Sequence, residues 1–339
     1  MKKEVFFISV FLILLSFSIK AVNKVRVVTL GPTTPIVDLN KSPQEIIDYM
    51  MEFWQGKIDE VLPYKPDLIV LPEACDRPRS LQSNWDKEKA YYDVRGDKFL
   101  KFFSDIAKSN NAYVVYSYKR HLKDSIYRNS SVLIDRKGVV VGIYDKNYPT
   151  IGEMNRGIVP STETPIFQCD FGKVGMLICF DMNFEELRKE YEKKQPDIMI
   201  LSSRYQGDLM QKYWAHSIQS YFVSAVEGRP FLPSDIYDPL GDLLSRSNSH
   251  YLNFTYAEIN LDRKLIHRDN NMEKMLALKS KYKDDVTIKD PGLLDVVLLS
   301  SNSKDVTVDD MIKEFGIESL TSYINRSSDY RYKKNNMEK

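Results

Sequence analysis

Val174-Gly175-Met176-Leu177-Ile178-Cys179-Phe180-Asp181 is an apolar run that breaks abruptly into reactive and charged residues. From Val174 to Ile178 no polar residue alternates, and the run is too short for a helix. Such a stretch suits a strand covered on both faces. Phe171-Gly172 supplies a turn before it and pairs Ile166–Asp170 with Lys173–Cys179 as a hairpin, while helical spacing follows from about Phe184 to Lys194. Working outward, the same grammar recurs. Lys24–Leu30, Asp67–Leu71 and Ala112–Tyr118 read as strands, and Ser42–Val61 and Asp97–Asn110 as helices. Asn129–Asp135 and Val139–Tyr144 form a hairpin around Arg136-Lys137-Gly138. Towards the C-terminus come a strand at Ile198–Ser202, a helix from about Met210 to Ser220, and strands at Tyr221–Glu227, Pro230–Tyr237, Asp242–Arg246 and Tyr256–Asn260. Alternating strands and helices with interspersed hairpins predict a mixed α/β sheet system.

No repeat or low-complexity linker interrupts this pattern, so a single domain is expected over 24–275. The remainder, 276–339, reads as a charged extension with a helix at Val308–Phe315 and a disordered polar tail from Ser327. At the other end, Lys2 and Lys3 precede an apolar run from Val5 to about Ile19. A basic start, a short apolar segment and a small-residue exit predict a secretory signal over 1–21, hence export. Of the two candidate cleavage points, Ser16-Phe17-Ser18 fits the small-x-small rule better than Ile19-Lys20-Ala21. An uncleaved membrane anchor is the alternative, although a span needs about 20 apolar residues.

A formal net charge of +1 gives no support for nucleic-acid binding. Histidines at 121, 216, 250 and 267 and cysteines at 75, 169 and 179 have no zinc-site spacing, so no metal is expected. An odd cysteine count leaves at least one thiol free. Cys169 alternates with its neighbours in a hairpin and reads as packing, whereas Cys75 lies two positions after Glu73. A cysteine–histidine site would pair Cys179 with His216 or His250, but the usual sequence around such a cysteine is missing.

In α/β proteins, sites gather at strand ends. Here Glu73, Lys146 and Cys179 each close or follow a predicted strand, in Leu71-Pro72-Glu73, Tyr144-Asp145-Lys146 and Gly175 through Asp181. Singly each has a bland reading, as a loop charge or buried filler. Together, in this order and separation, the motifs resemble the nitrilase, or carbon–nitrogen hydrolase, superfamily. Tyr127-Arg128-Asn129-Ser130-Ser131, Ser202-Ser203, Trp214-Ala215-His216, Asp238-Pro239-Leu240-Gly241 and Glu258-Ile259-Asn260 extend the resemblance.

The resemblance implies a four-layer αββα sandwich with mixed sheets, assembling as a homodimer or larger homo-oligomer, without cofactor. It implies a Glu–Lys–Cys triad in which Cys179 attacks the substrate carbon, Glu73 moves the proton, and Lys146 with the backbone N–H of Phe180 holds the oxyanion. Glu153, seven positions after Lys146, is similar to the family's second glutamate, or else is a loop carboxylate pairing with Arg156. True nitrilases carry Trp-Glu after the cysteine; Phe180-Asp181 resembles the amidase and carbamoylase branches, so a small-molecule amide is the expected substrate. A nitrile substrate and a catalytically inactive binding protein on the same fold are the alternatives. Tyr148, Arg204 and Tyr205 are candidate substrate contacts, with Arg204 either binding a substrate carboxylate or ion-pairing at the sheet edge.

Overall fold

Val25 and Val27 turn to one side of the first strand and Val28 and Leu30 to the other, and all four are buried. That double-sided burial, repeated strand after strand, sets the architecture of the computed structural model, which describes residues 24–123, 126–227, 232–247 and 251–337. The expected signal segment lies outside the described residues.

The first half comprises β1 (Lys24–Leu30), α1 (Pro43–Asp59), β2 (Leu68–Val70), α2 (Trp85–Arg95), α3 (Lys98–Asn110), β3 (Tyr113–Lys123), β4 (Ile126–Ile134), β5 (Val140–Asp145) and the single turn α4 (Ile151–Met154). Next come β6 (Phe167–Gln168), β7 (Lys173–Ile178), α5 (Glu185–Lys194), β8 (Ile198–Ser203), α6 (Leu209–Ile218), β9 (Tyr221–Val226), β10 (Asp235–Tyr237), β11 (Leu243–Arg246) and β12 (Phe254–Asn260). A C-terminal set follows: β13 (Arg263–His267), α7 (Met272–Tyr282), β14 (Val286–Lys289), β15 (Val296–Ser301), α8 (Val308–Phe315) and α9 (Leu320–Met337).

Two six-stranded sheets, ordered β12-β1-β2-β3-β4-β5 and β11-β10-β9-β8-β7-β6, face each other. Between them lie Val27, Leu68, Val70 and Val115 from one sheet and Val174, Met176, Ile178, Ile198 and Ile200 from the other. The outer face of the first sheet packs on α1 and α3 through Ile47, Met50, Trp54, Phe99 and Phe103. The outer face of the second packs on α5 and α6 through Leu187, Tyr191, Trp214 and Ile218. Three apolar layers therefore separate four structural ones, the αββα sandwich expected from the motifs. Both sheets mix parallel pairs (β1 with β2, β7 with β8) and antiparallel ones (β3 with β4, β9 with β10). Gly142 permits the sheet edges to approach, because a Cβ there would fall 2.1 Å from the Phe167 ring.

Local signals account for most boundaries. Ser42 caps α1 in a reciprocal capping box with Glu45, and Pro43 occupies its first turn. The helix α2 escaped sequence reading because its buried face is Glu88, Tyr91, Tyr92 and Arg95, which leaves no apolar periodicity.

The C-terminal region differs from expectation. A boundary at 275 would cut α7, and the extension holds its own sheet, ordered β13-β15-β14, with a core of Ile266, Leu278, Val297, Leu299 and Met311. The tail expected to be disordered is helical through Met337. Its first turn is anchored: Leu320 joins a cluster with Leu265 and Leu298, and the Tyr323 ring stacks on His267 at 3.9 Å. Docking supplies the costly nucleus, after which extension of a polar helix is cheap.

Ile200→Ala, in the layer between the sheets, is expected to cost about 2–5 kcal/mol in urea denaturation. Deleting 328–339, beyond the anchored turn, should leave the midpoint unchanged; a large shift would mean that the outer half of α9 is docked.

Candidate active site

Beyond the ends of β2, β5, β7 and β8, and beside Lys119 within β3, a cavity of about 320 Å³ opens, lined by Glu73, Arg77, Lys119, Lys146, Glu153, Cys179 and Arg204 among others. Sheet register brings much of this together. Lys119 on β3 lies directly opposite Asn129 on β4, so their side chains share a face, and the Lys146 N–H at the end of β5 donates to the Asn129 carbonyl at 2.8 Å. Glu73 comes from the other direction, on the turn after β2, which is pinned where the Cys75 N–H donates to the Ser117 carbonyl at 3.0 Å. Glu153 sits at the third position of α4, where its carboxylate accepts the Thr150 N–H at 2.9 Å in a capping box.

The Lys146 ammonium, 1% exposed, donates to Glu73 Oε1 at 3.1 Å and to Glu153 Oε2 at 2.9 Å. Asn129 Nδ2 donates to the same Glu73 oxygen at 2.6 Å and to Glu153 Oε1 at 2.8 Å, and Lys119 Nζ reaches Glu153 Oε1 at 2.6 Å. Burial disfavours each charge, and the network decides the outcome. Glu73 is pushed up by burial, but Lys146, with Lys119 and Arg204, holds it below the usual carboxylate range. Glu153 is depressed by the two lysines against its own burial. Burial works against the Lys146 charge, yet Glu73 and Glu153 raise its pKa above the usual lysine value. Lys119 ends lowered, because its burial outweighs its carboxylate partners.

Cys179 follows β7 with φ +51°, a left-handed conformation that ordinary side chains rarely adopt. Asp181 braces this turn. Its Oδ2 accepts the Ile178 N–H at 3.0 Å and the Tyr144 hydroxyl at 2.7 Å, and its Oδ1 accepts the Tyr148 N–H at 2.7 Å. Burial pushes the Cys179 thiol up to about 11; Glu73 adds to the rise, while Lys146, the Arg204 N–H and the Ser203 hydroxyl oppose it. At neutral pH the group is a thiol, so its nucleophilicity depends on a base that removes the proton as it attacks.

The other sequence candidates distribute unevenly. Arg204 lines the cavity and pairs with Glu227 at 2.5 Å. Tyr148 stacks on Phe184 with 3.6 Å between centroids, facing a neighbouring apolar pocket that the Phe180 side chain also lines. Tyr205 is exposed and not on the cavity wall. Glu153 pairs with the two lysines, while Arg156 donates to the Gln82 carbonyl at 3.3 Å. Cys75 is buried against Ser117 with its thiol raised well above the usual value, and Cys169 is packed between the sheets, pushed up to about 12. His216 lies on α6, away from the cavity wall; His250 is outside the described residues. Lys119, Arg77 and Glu88 line the cavity without having been singled out in the sequence. Lys119 sits where the apolar run Tyr113–Tyr118 gives way to Lys119-Arg120-His121, so sequence did not set it apart from its more exposed neighbours; Arg77 and Glu88, in a loop and an aperiodic helix, carried no signal either. Among the described residues no group of three or more His, Cys, Asp or Glu could hold a metal.

Asp181 makes a measurable prediction. Full burial raises its folded pKa to about 6, with Lys146 and its hydrogen bonds opposing. The native state thus keeps this proton longer than the unfolded chain, whose aspartates titrate near about 3.9. Stability contributed by neutral Asp181 is complete below that value and is lost as pH rises through about 6. Chemical denaturation from pH 4 to 7 should show this decline, and Asp181→Asn should flatten it. An unchanged slope in the variant would remove Asp181 as its source.

A family model described as carbon-nitrogen hydrolase matches residues 24–264. The chain is 26% identical over 237 residues to the deaminated glutathione amidase of Dictyostelium discoideum, covering 60% of this chain and 80% of that protein. It is 23% identical over 172 residues to the beta-ureidopropionase of Arabidopsis thaliana, covering 47% of this chain and 42% of that one, less than half its length. Among solved structures, the carbon-nitrogen hydrolase from Helicobacter pylori G27 superposes with a TM-score of 0.60 at 18% identity, over 77% of this chain and 95% of that one. An amidase from Nesterenkonia sp. AN1, with an acetamide moiety added covalently at its active-site cysteine, superposes with a TM-score of 0.57 at 15% identity, over 71% of this chain and 92% of its own. With the sandwich, the strand-end cavity and the model match over most of its described length in agreement, the chain belongs to the carbon-nitrogen hydrolase family.

Proposed function

We propose that the chain hydrolyses small linear amides through a thioester on Cys179. The observation that carries this reading is the buried Lys146 ammonium held between Glu73 and Glu153 in the cavity that Cys179 also lines. Glu73, kept ionised by Lys146, takes the thiol proton as the sulfur attacks the carbonyl carbon. The carbonyl oxygen gains the electron pair and is held by Lys146 and the Phe180 N–H. Collapse of the tetrahedral species breaks the C–N bond, and Glu73 passes the proton to the departing nitrogen. A water, deprotonated by Glu73, then cleaves the thioester and the thiol recovers its proton. Glu153 and Asn129 position the ammonium and the base; neither needs to touch substrate. An amide is favoured over a nitrile because Phe180-Asp181 follows the cysteine in place of Trp-Glu.

The test is purified protein against a panel of small amides, carbamoyl-amines and nitriles. Nitrile turnover without amide turnover would sink the amide reading. Cys179→Ala should abolish turnover, Glu73→Gln should lower kcat by about 10²–10⁴, and Lys146→Met by about 10²–10³. Losses in the double variants should fall well short of additive, because the three groups act as one unit.

Iodoacetamide, followed by intact-mass and peptide mapping, should label Cys179 ahead of the buried Cys75 and Cys169. The rate should climb about tenfold per pH unit towards the thiol's pKa of about 11. An inert Cys179, with Cys75 labelled instead, would favour a non-catalytic binding protein.

A further inference from the structure

Lys119 lines the catalytic cavity, yet the chemistry above gives it no task. Its side chain is only 8% exposed, and a buried ammonium is strongly unfavourable unless a partner compensates it. The partner is Glu153, whose Oε1 accepts from Lys119 Nζ at 2.6 Å. Glu153 is well served without this contact. Its carboxylate already accepts from Lys146 at 2.9 Å, from Asn129 Nδ2 at 2.8 Å and from the Thr150 N–H at 2.9 Å. The lysine is also firmly placed. Its carbonyl accepts from Arg95 Nη2 at 3.0 Å, and Arg95 is held by Asp76 at 2.5 Å, which pins β3 at this residue.

Charge balance explains the lysine where packing does not. Glu73 and Glu153 each place an oxygen on the same Asn129 nitrogen, and both share the Lys146 ammonium. Two buried carboxylates this close, with one cation between them, retain a proton, because like charges in such a site do not both ionise. Glu73 is the more deeply buried, with 7% of its side chain exposed against 18% for Glu153, so the proton would settle there. A base that already holds a proton cannot take one from Cys179. The other charges facing the pair are committed elsewhere. Arg77 meets Glu88, Arg204 meets Glu227, and Arg156 turns to the Gln82 carbonyl. The Cys179 thiol is itself protonated. Lys119 supplies the missing charge. Burial pushes Glu73 up and Lys146 pulls it down; Glu153 then pushes it up again, and Lys119 offsets that push. On Glu153, burial is overruled by Lys119 first and Lys146 second. Burial also lowers Lys119, with Glu153 and Glu73 opposing. Since Glu153 is held well below the usual carboxylate range, the proton between the two stays on nitrogen.

Resting on the hydrolase reading above, we propose that Lys119 is a positioning residue for the reaction: its ammonium neutralises Glu153, which leaves Lys146 to Glu73 and keeps that base ionised in the free enzyme. Lys119 touches neither substrate nor sulfur in this role. It acts through Glu153, and it extends the working range of the site towards low pH.

The acidic limb of the kcat/KM profile reads this directly, because it reports protonation of the base in the free enzyme. Lys119→Met keeps the length of the side chain and removes its charge. Loss of a cation raises a carboxylate pKa, so the limb should move to higher pH by about 1–3 units. Below both limbs that is a loss of about 10- to 1000-fold, with recovery towards a plateau above the shifted limb. Lys119→Arg, which retains the charge, should hold the limb near its wild-type position. In Lys119→Met/Glu153→Gln the charges balance again, and the limb should move back down. A uniform loss in Lys119→Met with an unmoved limb would make the lysine structural and overturn the proposal.

A second measurement requires neither turnover nor a folded Lys119 variant. In the full chain labelled with [5-13C]glutamate, the Glu73 carboxyl resonance, identified by its absence from Glu73→Gln, should titrate below about pH 5. Titration above that value would show a protonated base beside Lys119 and overturn the proposal. Wild-type protein that turned over no amide in the panel would instead overturn the hydrolase reading, and the carboxyl titration would still decide the role of Lys119.

Discussion

A single buried ammonium organises the catalytic end of the sandwich. Lys146 draws in Glu73 from the turn after β2 and Glu153 from α4, and both carboxylates accept from Asn129 on β4. It is the main charge that holds Glu73 ionised against burial, it shares Glu153 with Lys119, and the two carboxylates in turn keep the lysine protonated. Removing one member of such a set leaves an uncompensated buried charge, a defect worth about 3–5 kcal/mol elsewhere. The network therefore constrains position and protonation state together. It holds a carboxylate base beside a thiol that burial keeps protonated, the pairing that a proton-coupled nucleophilic attack requires.

That network can be buried because the strands feeding it are covered on both faces. β2, β7 and β8 each send alternate side chains into the layer between the sheets and into a helical layer outside. Their ends are thus held by packing on two sides before any polar contact is made. Side chains placed there inherit that rigidity, which a site needing sub-ångström placement demands. The strained backbone at Cys179 persists for the same reason. Asp181 gathers Ile178, Tyr144 and Tyr148 around the turn, and the Trp214 indole N–H donates to the Met182 carbonyl at 2.9 Å just beyond it.

The charges around the cavity are paired before any substrate arrives. Lysines meet carboxylates near the thiol, and Arg77 and Arg204, buried behind them, pair with Glu88 and Glu227. Closed pairs suit a proton relay, since their charges are fixed in advance.

Much of this was legible in the chain alone. Short apolar runs without alternation announced strands buried on both faces, and the helical spacing of apolar residues over Ser42–Val61 announced α1. The three strand-end motifs, through their order and their resemblance to a known family, pointed to the acid, amine and thiol that line one cavity, because the end of a strand is a local property of sequence. What stayed hidden depends on distant partners. α2 has no apolar stripe, and only the fold explains its buried face, Glu88 on the cavity wall beside Arg77 and Arg95 paired with Asp76. α9 reads as a polar tail until Leu320 and Tyr323 find their places against the C-terminal sheet. Arg204 could be read as a sheet-edge ion pair or a ligand contact, and sequence could not choose, because its partner Glu227 comes within 2.5 Å only once the chain has folded. The sequence by itself determined the strands, the order of the motifs and the residue types of the site; tertiary structure decided which charges pair with which, because pairing is a matter of distance and desolvation, and neither is written in local pattern.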